Sequence, residues 1–245
     1  MSPDMLNDGH NTSLAYAANW TSSFLKPLLA NKYFMNNTLI LLTYDESETY
    51  SIPNKIVSVL LGGAIPKALK GSTDSTFYTH YSILSTLQSN WRLPNLGRYD
   101  VGANVFSLVA QQTGLVNHPP SNLASINNSL SYGGYLNSDP KKNMSIPAPN
   151  LLLNGAGGKV YEKIMRTWEN MDKVPSPYDG SGVVYDGGNG VEDANAPVYK
   201  VPVANNLTTT TPSVPSATTG VSLGNRVENS GLLVLFVAFV GFGLV

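Results

Sequence analysis

Residues 38–46, TLILLTYDE, set an unbroken apolar run directly against two consecutive carboxylates, Asp45 and Glu46. A strand buried on one face alternates apolar and polar side chains, so a continuous run predicts a strand covered on both faces, as in a parallel α/β sheet. Open sheets of that kind place ligand sites beyond the carboxyl ends of their strands. Asp45 and Glu46 stand at such an end. Successive side chains on a regular strand point to opposite faces, so both carboxylates reach one cation only if the strand has already broken into a loop. Their oxygens suit a hard divalent cation. A solvated acidic loop would read the same way.

Upstream of this stretch, apolar residues at helical spacing (Leu14, Ala17, Ala18, Phe24, Leu25, Leu28, Leu29) predict a helix over residues 14–31. Asn11, Thr12 or Ser13 would cap it, and Pro27 would kink it. Downstream, residues 55–61 (KIVSVLL) predict a second strand ending at Gly62-Gly63, and residues 83–91 a short helix capped by Ser82. The order helix, strand, strand, helix predicts an open α/β sheet. Between residues 117 and 203 only residues 159–171 carry helical periodicity. The glycine-rich segments 179–182 and 186–190 resemble a calcium-binding repeat superficially, but one imperfect copy reads better as turns.

Composition narrows the function classes. With 15 Lys and Arg against 16 Asp and Glu, the net charge is −1, and no basic stripe exists to displace counterions from nucleic-acid phosphates. Charged residues are 13% of the chain against about 25% in ordinary soluble domains, which excludes a coiled coil or a charged tail. There is no cysteine, hence no disulfide, no zinc knuckle and no thiol nucleophile. The first residues, Met1-Ser2-Pro3-Asp4-Met5, lack the basic and apolar regions of a signal peptide.

The last fifteen residues, GLLVLFVAFVGFGLV, contain no charge. As a helix they would span about 22 Å, short of the ~30 Å hydrocarbon core, so a GPI-attachment signal is expected in preference to a tail anchor. A polar spacer at residues 224–230 precedes them, with Gly220 and Ser222 as candidate cleavage positions. Residues 208–219 (TTTTPSVPSATT) have the composition of an O-glycosylated stalk. Six N-x-S/T sequons, at Asn11, Asn19, Asn36, Asn127, Asn143 and Asn206, are compatible with secretion. An extracellular, cell-surface or cell-wall location follows as the expectation.

Three histidines remain. His10 lies in a polar turn, NDGHNT, that opens the first helix, where an imidazole can bind phosphate oxygens or protonate a leaving group; a plain surface histidine is the alternative. His80, in YTHYS, precedes a helix whose amino end favours anions, and site and structural roles are both open for it. His118, before Pro119-Pro120, reads as loop.

The blocks SPDMLNDGHNT, NTLILLTYDE, VSVLLGGAIP and FYTHYSILSTLQSNWRLPNLGRYDVGANVFSLV, in this order and spacing, closely resemble the carboxyl-terminal half of fungal secreted acid phosphatases of the phosphoesterase family. That family also holds bacterial phospholipases C and is similar to the alkaline-phosphatase superfamily. The resemblance implies that Asp45 and Glu46 are metal ligands for a divalent cation, that His10 contacts phosphate or leaving group, and that His80 belongs to the pocket through the family's H-x-S block. It implies hydrolysis of a small phosphate ester through a Ser or Thr nucleophile beside the cation. The family's early Glu-Asn pair and nucleophile block belong to its amino-terminal half and do not occur here. Accordingly, residues 1–115 are expected to form the carboxyl-terminal half of an alkaline-phosphatase-like catalytic domain of α/β class. Residues 116–204 would be an irregular wrapping segment, residues 205–230 a stalk and spacer, and residues 231–245 the GPI signal that provides the membrane contact. A phospholipase C-like diesterase and a non-catalytic surface glycoprotein are the competing readings, and the 245-residue chain alone is expected to have little phosphatase activity.

Overall fold

In the computed structural model the structure describes residues 2–46, 54–121, 123, 147–170 and 176–183. The stalk, the apolar tail, the second glycine-rich segment and the sequons at Asn127, Asn143 and Asn206 lie outside these residues. Among the described residues no helix is long and apolar enough to cross a membrane.

Helix α1 spans Leu14–Ala30. Of its three candidate caps, Ser13 is the one used: the Tyr16 amide donates to its side-chain oxygen at 3.2 Å. Pro27 sits inside the helix without ending it, since its missing N–H falls near the carboxyl end and three further residues continue. Asn31 then caps a single turn, α2 (Lys32–Met35), by accepting the Tyr33 and Phe34 amides. Only Ala17 and Leu25 of α1 are buried, while Leu14, Tyr16 and Leu29 are exposed. The periodicity thus predicted the helix but overstated how much of its apolar face is covered.

The quoted stretch forms β1 (Ile40–Leu42), and Leu39, Ile40 and Leu41 are each 1% exposed. Consecutive burial means that both faces are covered, as the unbroken run predicts. The parallel direction is wrong, however: β1 pairs antiparallel with β2 (Val59–Leu61), with Ile40 opposite Leu61 and Leu42 opposite Val59. An apolar run reports coverage of the two faces and carries no information about the neighbour's direction. The second strand is also shorter than expected. Residues 54–58 are irregular and Val57 is 64% exposed.

At the end of β2 the Gly62-Gly63 pair passes against the backbone of residues 35–38. A Cβ on Gly62 (φ +124°) would run into the Thr38 carbonyl, and one on Gly63 into that of Met35. Glycine here is required by close approach as well as by dihedral.

Helix α3 spans Tyr81–Trp91, beginning two residues before the expected start. His80, rather than Ser82, is the capping residue; Ser82 lies in the first turn and its Oγ accepts the Thr79 amide at 3.1 Å. The buried face of α3 is polar: Ser82, Ser85, Thr86, Gln88 and Ser89. Small hydroxyl residues let the following segment approach closely, and they supply it with partners. Helix α4 (Ser107–Thr113) packs there, with the Phe106 amide donating to Thr86 Oγ1 at 2.9 Å and Ser89 Oγ to Thr113 Oγ1 at 3.0 Å. Val105, Val109 and Ala110 form the apolar cluster under it, with Leu108, Leu115 and Ala156 against them.

Two fully buried polar residues fix the connection between α3 and α4. Asp100 accepts the Leu96 and Arg98 amides and the Gln88 side chain, at 2.7, 3.0 and 2.7 Å. Asn95 donates to the carbonyls of Leu153 and Gly158 and accepts the Gly97 amide. The Asn95 bonds, with its amide donating to the Lys159 carbonyl, dock a small hairpin, β3 (Asn154–Gly155) and β4 (Gly158–Lys159), onto the segment after α3. Helix α5 (Glu162–Trp168) follows, shorter at both ends than predicted. Segment 179–182 is a turn held by Asp179, whose carboxylate accepts from the Ser181 amide and hydroxyl.

Candidate functional site

Chain leaving β1 becomes irregular at Thr43, before Asp45 is reached. The break that lets two successive carboxylates turn toward one ion is therefore present. Asp45 is exposed and Glu46 half-buried. Thr43 and Ser58 hydroxyls meet at 2.7 Å, and the Val57 amide donates to the Tyr44 hydroxyl at 3.2 Å, so the two chain segments flanking the β1–β2 pair stay together past their ladder.

His80 reaches this loop. Its Nε2 lies 2.9 Å from the Asp45 carbonyl oxygen, across 35 residues of sequence. A carbonyl only accepts, so Nε2 carries the proton of this bond and donates it. Asn54 Nδ2 donates to the same oxygen at 3.0 Å. As the residue capping α3, His80 makes no side-chain capping bond; its Nε2 goes to the Asp45 loop. Two of the residues singled out in the sequence are thereby brought into contact. His10 is not: its amide donates to the Asp8 carboxylate at 2.8 Å, its side chain is exposed, and no described hydrogen bond links it to Asp45 or His80. His118 is loop, as read, its backbone N–H and C=O both bonded to the Asn104 side chain.

The segment leading into His80 holds residues that sequence reasoning missed. Tyr78 hydroxyl donates to Asp74 Oδ2 at 2.6 Å, accepts the Ser107 amide at 2.8 Å and lies 2.8 Å from Ser107 Oγ. The Thr76 amide closes the cluster on Asp74 Oδ1 at 3.0 Å. Partial desolvation would raise the Asp74 carboxyl, but the bonds from Tyr78 and Thr76 outweigh it and hold the group below its ordinary value of 3.8. The Tyr78 hydroxyl is pushed above its ordinary 10.0 by burial first and by the Asp74 carboxylate second. The available signal was an Asp, a Thr and a Tyr at even spacing just ahead of His80.

Beside His80, Phe77, Thr79, Ser82, Tyr99, Asn104 and His118 line a small cleft, and the buried Thr79 Oγ1 has no hydrogen-bond partner. Among the described residues no group of three or more His, Asp or Glu is placed to hold a metal ion. Asp45 and Glu46 match a hard cation in the kind of donor they offer.

Residues 1–94 match the model of the Phosphoesterase family. Over 171 residues the chain is 48% identical to a probable acid phosphatase of Kluyveromyces lactis, covering 69% of this chain and 39% of that protein. It is 44% identical over 187 residues to an acid phosphatase of Aspergillus fumigatus (73% and 42% covered) and 43% identical over 185 residues to a phosphate-repressible acid phosphatase of Penicillium chrysogenum (73% and 44%). The chain thus spans about two fifths of the length of these curated relatives. No solved structure gives a significant match. The resemblance read from the motif blocks holds: residues 1–94 match the phosphoesterase family, and the chain is similar to fungal proteins named acid phosphatases.

Proposed function

We propose that this chain contributes to hydrolysis of phosphate monoesters at acid pH. The observation that carries this reading is the contact of His80 with the Asp45 loop, because it joins two motif blocks that both lie within the residues matching the Phosphoesterase family. In this reading Asp45 and Glu46 hold a divalent cation, which when bound would polarise phosphoryl oxygens. His80 holds the metal-side loop in place through its backbone, and His10 meets the phosphate or the leaving group. The alkaline-phosphatase-like arrangement of the sheet belongs to the same proposal.

A graft tests it: the matching residues of the Aspergillus fumigatus relative are replaced by those of this chain, and the product is assayed between about pH 4 and pH 8. Hydrolysis of an aryl phosphate monoester with an acid optimum, in excess over the corresponding diester, is the expected result. A preference for the diester would favour the phospholipase C-like reading, and a folded graft with no turnover would favour a non-catalytic role.

The location proposed is the cell surface, through a GPI anchor that replaces residues 231–245. Support comes from the apolar tail and the Ser/Thr-rich approach to it, and from the exposure of Asn11, Asn19 and Asn36 in their sequons. Release of the protein from cells by a phosphatidylinositol-specific phospholipase would bear this out. Recovery of a mature peptide from residues 232–245 would refute it.

A further inference from the structure

Residues 72–79, which deliver His80 to the Asp45 loop, have no regular secondary structure. An irregular stretch of eight residues would ordinarily leave its last side chain poorly placed, since each unfixed residue retains backbone freedom worth about 1–2 kcal/mol. Here the stretch is tied down chiefly around Tyr78. Tyr78 is two residues from His80, and all three of its hydroxyl contacts go to side-chain or backbone groups of Asp74 and Ser107. Its ring stands edge-on to Phe106, centroids 5.2 Å apart at 89°. Thr76 Oγ1 lies 3.3 Å from Ser107 Oγ, and Asn104 Nδ2 donates to the Phe77 carbonyl at 2.8 Å. The Ser107 amide, at the start of α4, is an orphan donor of its helix that Tyr78 satisfies.

We propose that Tyr78, held by Asp74 and Ser107, is a positioning residue for His80. The clamp locks the approach segment to α4 so that the imidazole meets the Asp45 carbonyl. It acts on the loop that bears the proposed metal ligands without touching substrate or ion, and its relevance to turnover rests on the phosphatase reading above. The geometry itself does not depend on that reading. Removing the Tyr78 hydroxyl costs three contacts at once, strands the part-buried Ser107 amide and leaves the ring packing on Phe106 intact, so the segment loosens while the core stays.

The test uses the 245-residue chain. The imidazole N–H signal of His80 is observed in 1H–15N spectra at fixed pH for the unsubstituted chain and for Tyr78→Phe, Asp74→Ala, Asp74→Asn and Val160→Ala. In Tyr78→Phe and Asp74→Ala the hydrogen-bonded His80 signal is expected to be lost or to exchange at least roughly fivefold faster, the effect of losing one net hydrogen bond. Asp74→Asn retains an oxygen that accepts from Tyr78 and should rescue the signal. Val160→Ala, a buried site away from the clamp, lowers stability without moving it. In the graft, Tyr78→Phe should lower kcat about tenfold or more with KM unchanged. An unaltered His80 signal in folded Tyr78→Phe and Asp74→Ala overturns the proposal. So does a Val160→Ala variant that loses the signal equally, because stability alone would then explain the effect. An inactive unsubstituted graft counts against the phosphatase reading only, and the His80 signal still decides the clamp.

Discussion

At the level of single residues, Asp74 makes the clearest pH-dependent contribution. Its carboxyl lies below the ordinary 3.8 in the folded chain. The ionised form is therefore favoured by folding, and the stabilisation is present above the unfolded value and lost as pH falls through the folded one. Comparing the unsubstituted chain with Asp74→Ala by urea unfolding should show an advantage near pH 6 that shrinks steadily below about pH 4. A constant gap down to about pH 2 would mean that the carboxylate's charge contributes nothing. Asp100 tests a different cost. It is 1% exposed and accepts three N–H bonds from Leu96, Arg98 and Gln88. Asp100→Ala strands all three donors, and a loss of roughly 3 kcal/mol is expected in the same unfolding measurement, well above the ~1 kcal/mol typical of substitutions.

Elements differ in how far the sequence announced them, and the difference is where their caps and partners lie. Helix α1 was legible because Ser13 caps it locally and its apolar spacing is helical. Helix α4 escaped because the residue before it is Phe106, which offers no capping side chain, and its first amides are met by Thr86 and Tyr78, 20 and 29 residues away. The polar inner face of α3 is invisible to hydrophobic periodicity for a similar reason: Ser85, Thr86 and Gln88 are buried on account of tertiary partners. In the candidate site, the carboxylate pair and His80 could be singled out from strand-end position and motif, whereas the Asp74–Tyr78–Ser107 cluster could not, since nothing local says that Ser107 folds back onto Tyr78. Two substitutions test the backbone account. Arg92 ends α3 in the left-handed region at φ 52°, so Arg92→Gly should stabilise by roughly 0.5–1 kcal/mol, the difference between the left-handed strain relieved and the glycine entropy incurred. Gly62→Ala should destabilise by at least about 2 kcal/mol, because its Cβ meets the Thr38 carbonyl at a dihedral that alanine rarely adopts.

For the whole molecule, the described residues gather around two centres. One is the β1–β2 pair with the Asp45 loop at its end, and the other is the α3–α4 pair with the β3–β4 hairpin docked by Asn95. His80 and its bond to Asp45 connect them. That connection makes the site a property of the assembled fold rather than of either motif block. The proposed phosphatase site stands or falls on Asp45 and Glu46 as cation ligands. The most direct measurement is the metal content and aryl-phosphate turnover of the graft, side by side for the unsubstituted form, Asp45→Asn and Glu46→Gln. Bound divalent metal is expected in the first form. Each variant should lose metal and lose turnover by at least about a hundredfold while keeping its unfolding midpoint, since cation and substrate must be held in register for reaction. Full metal content and full turnover in both variants would contradict it.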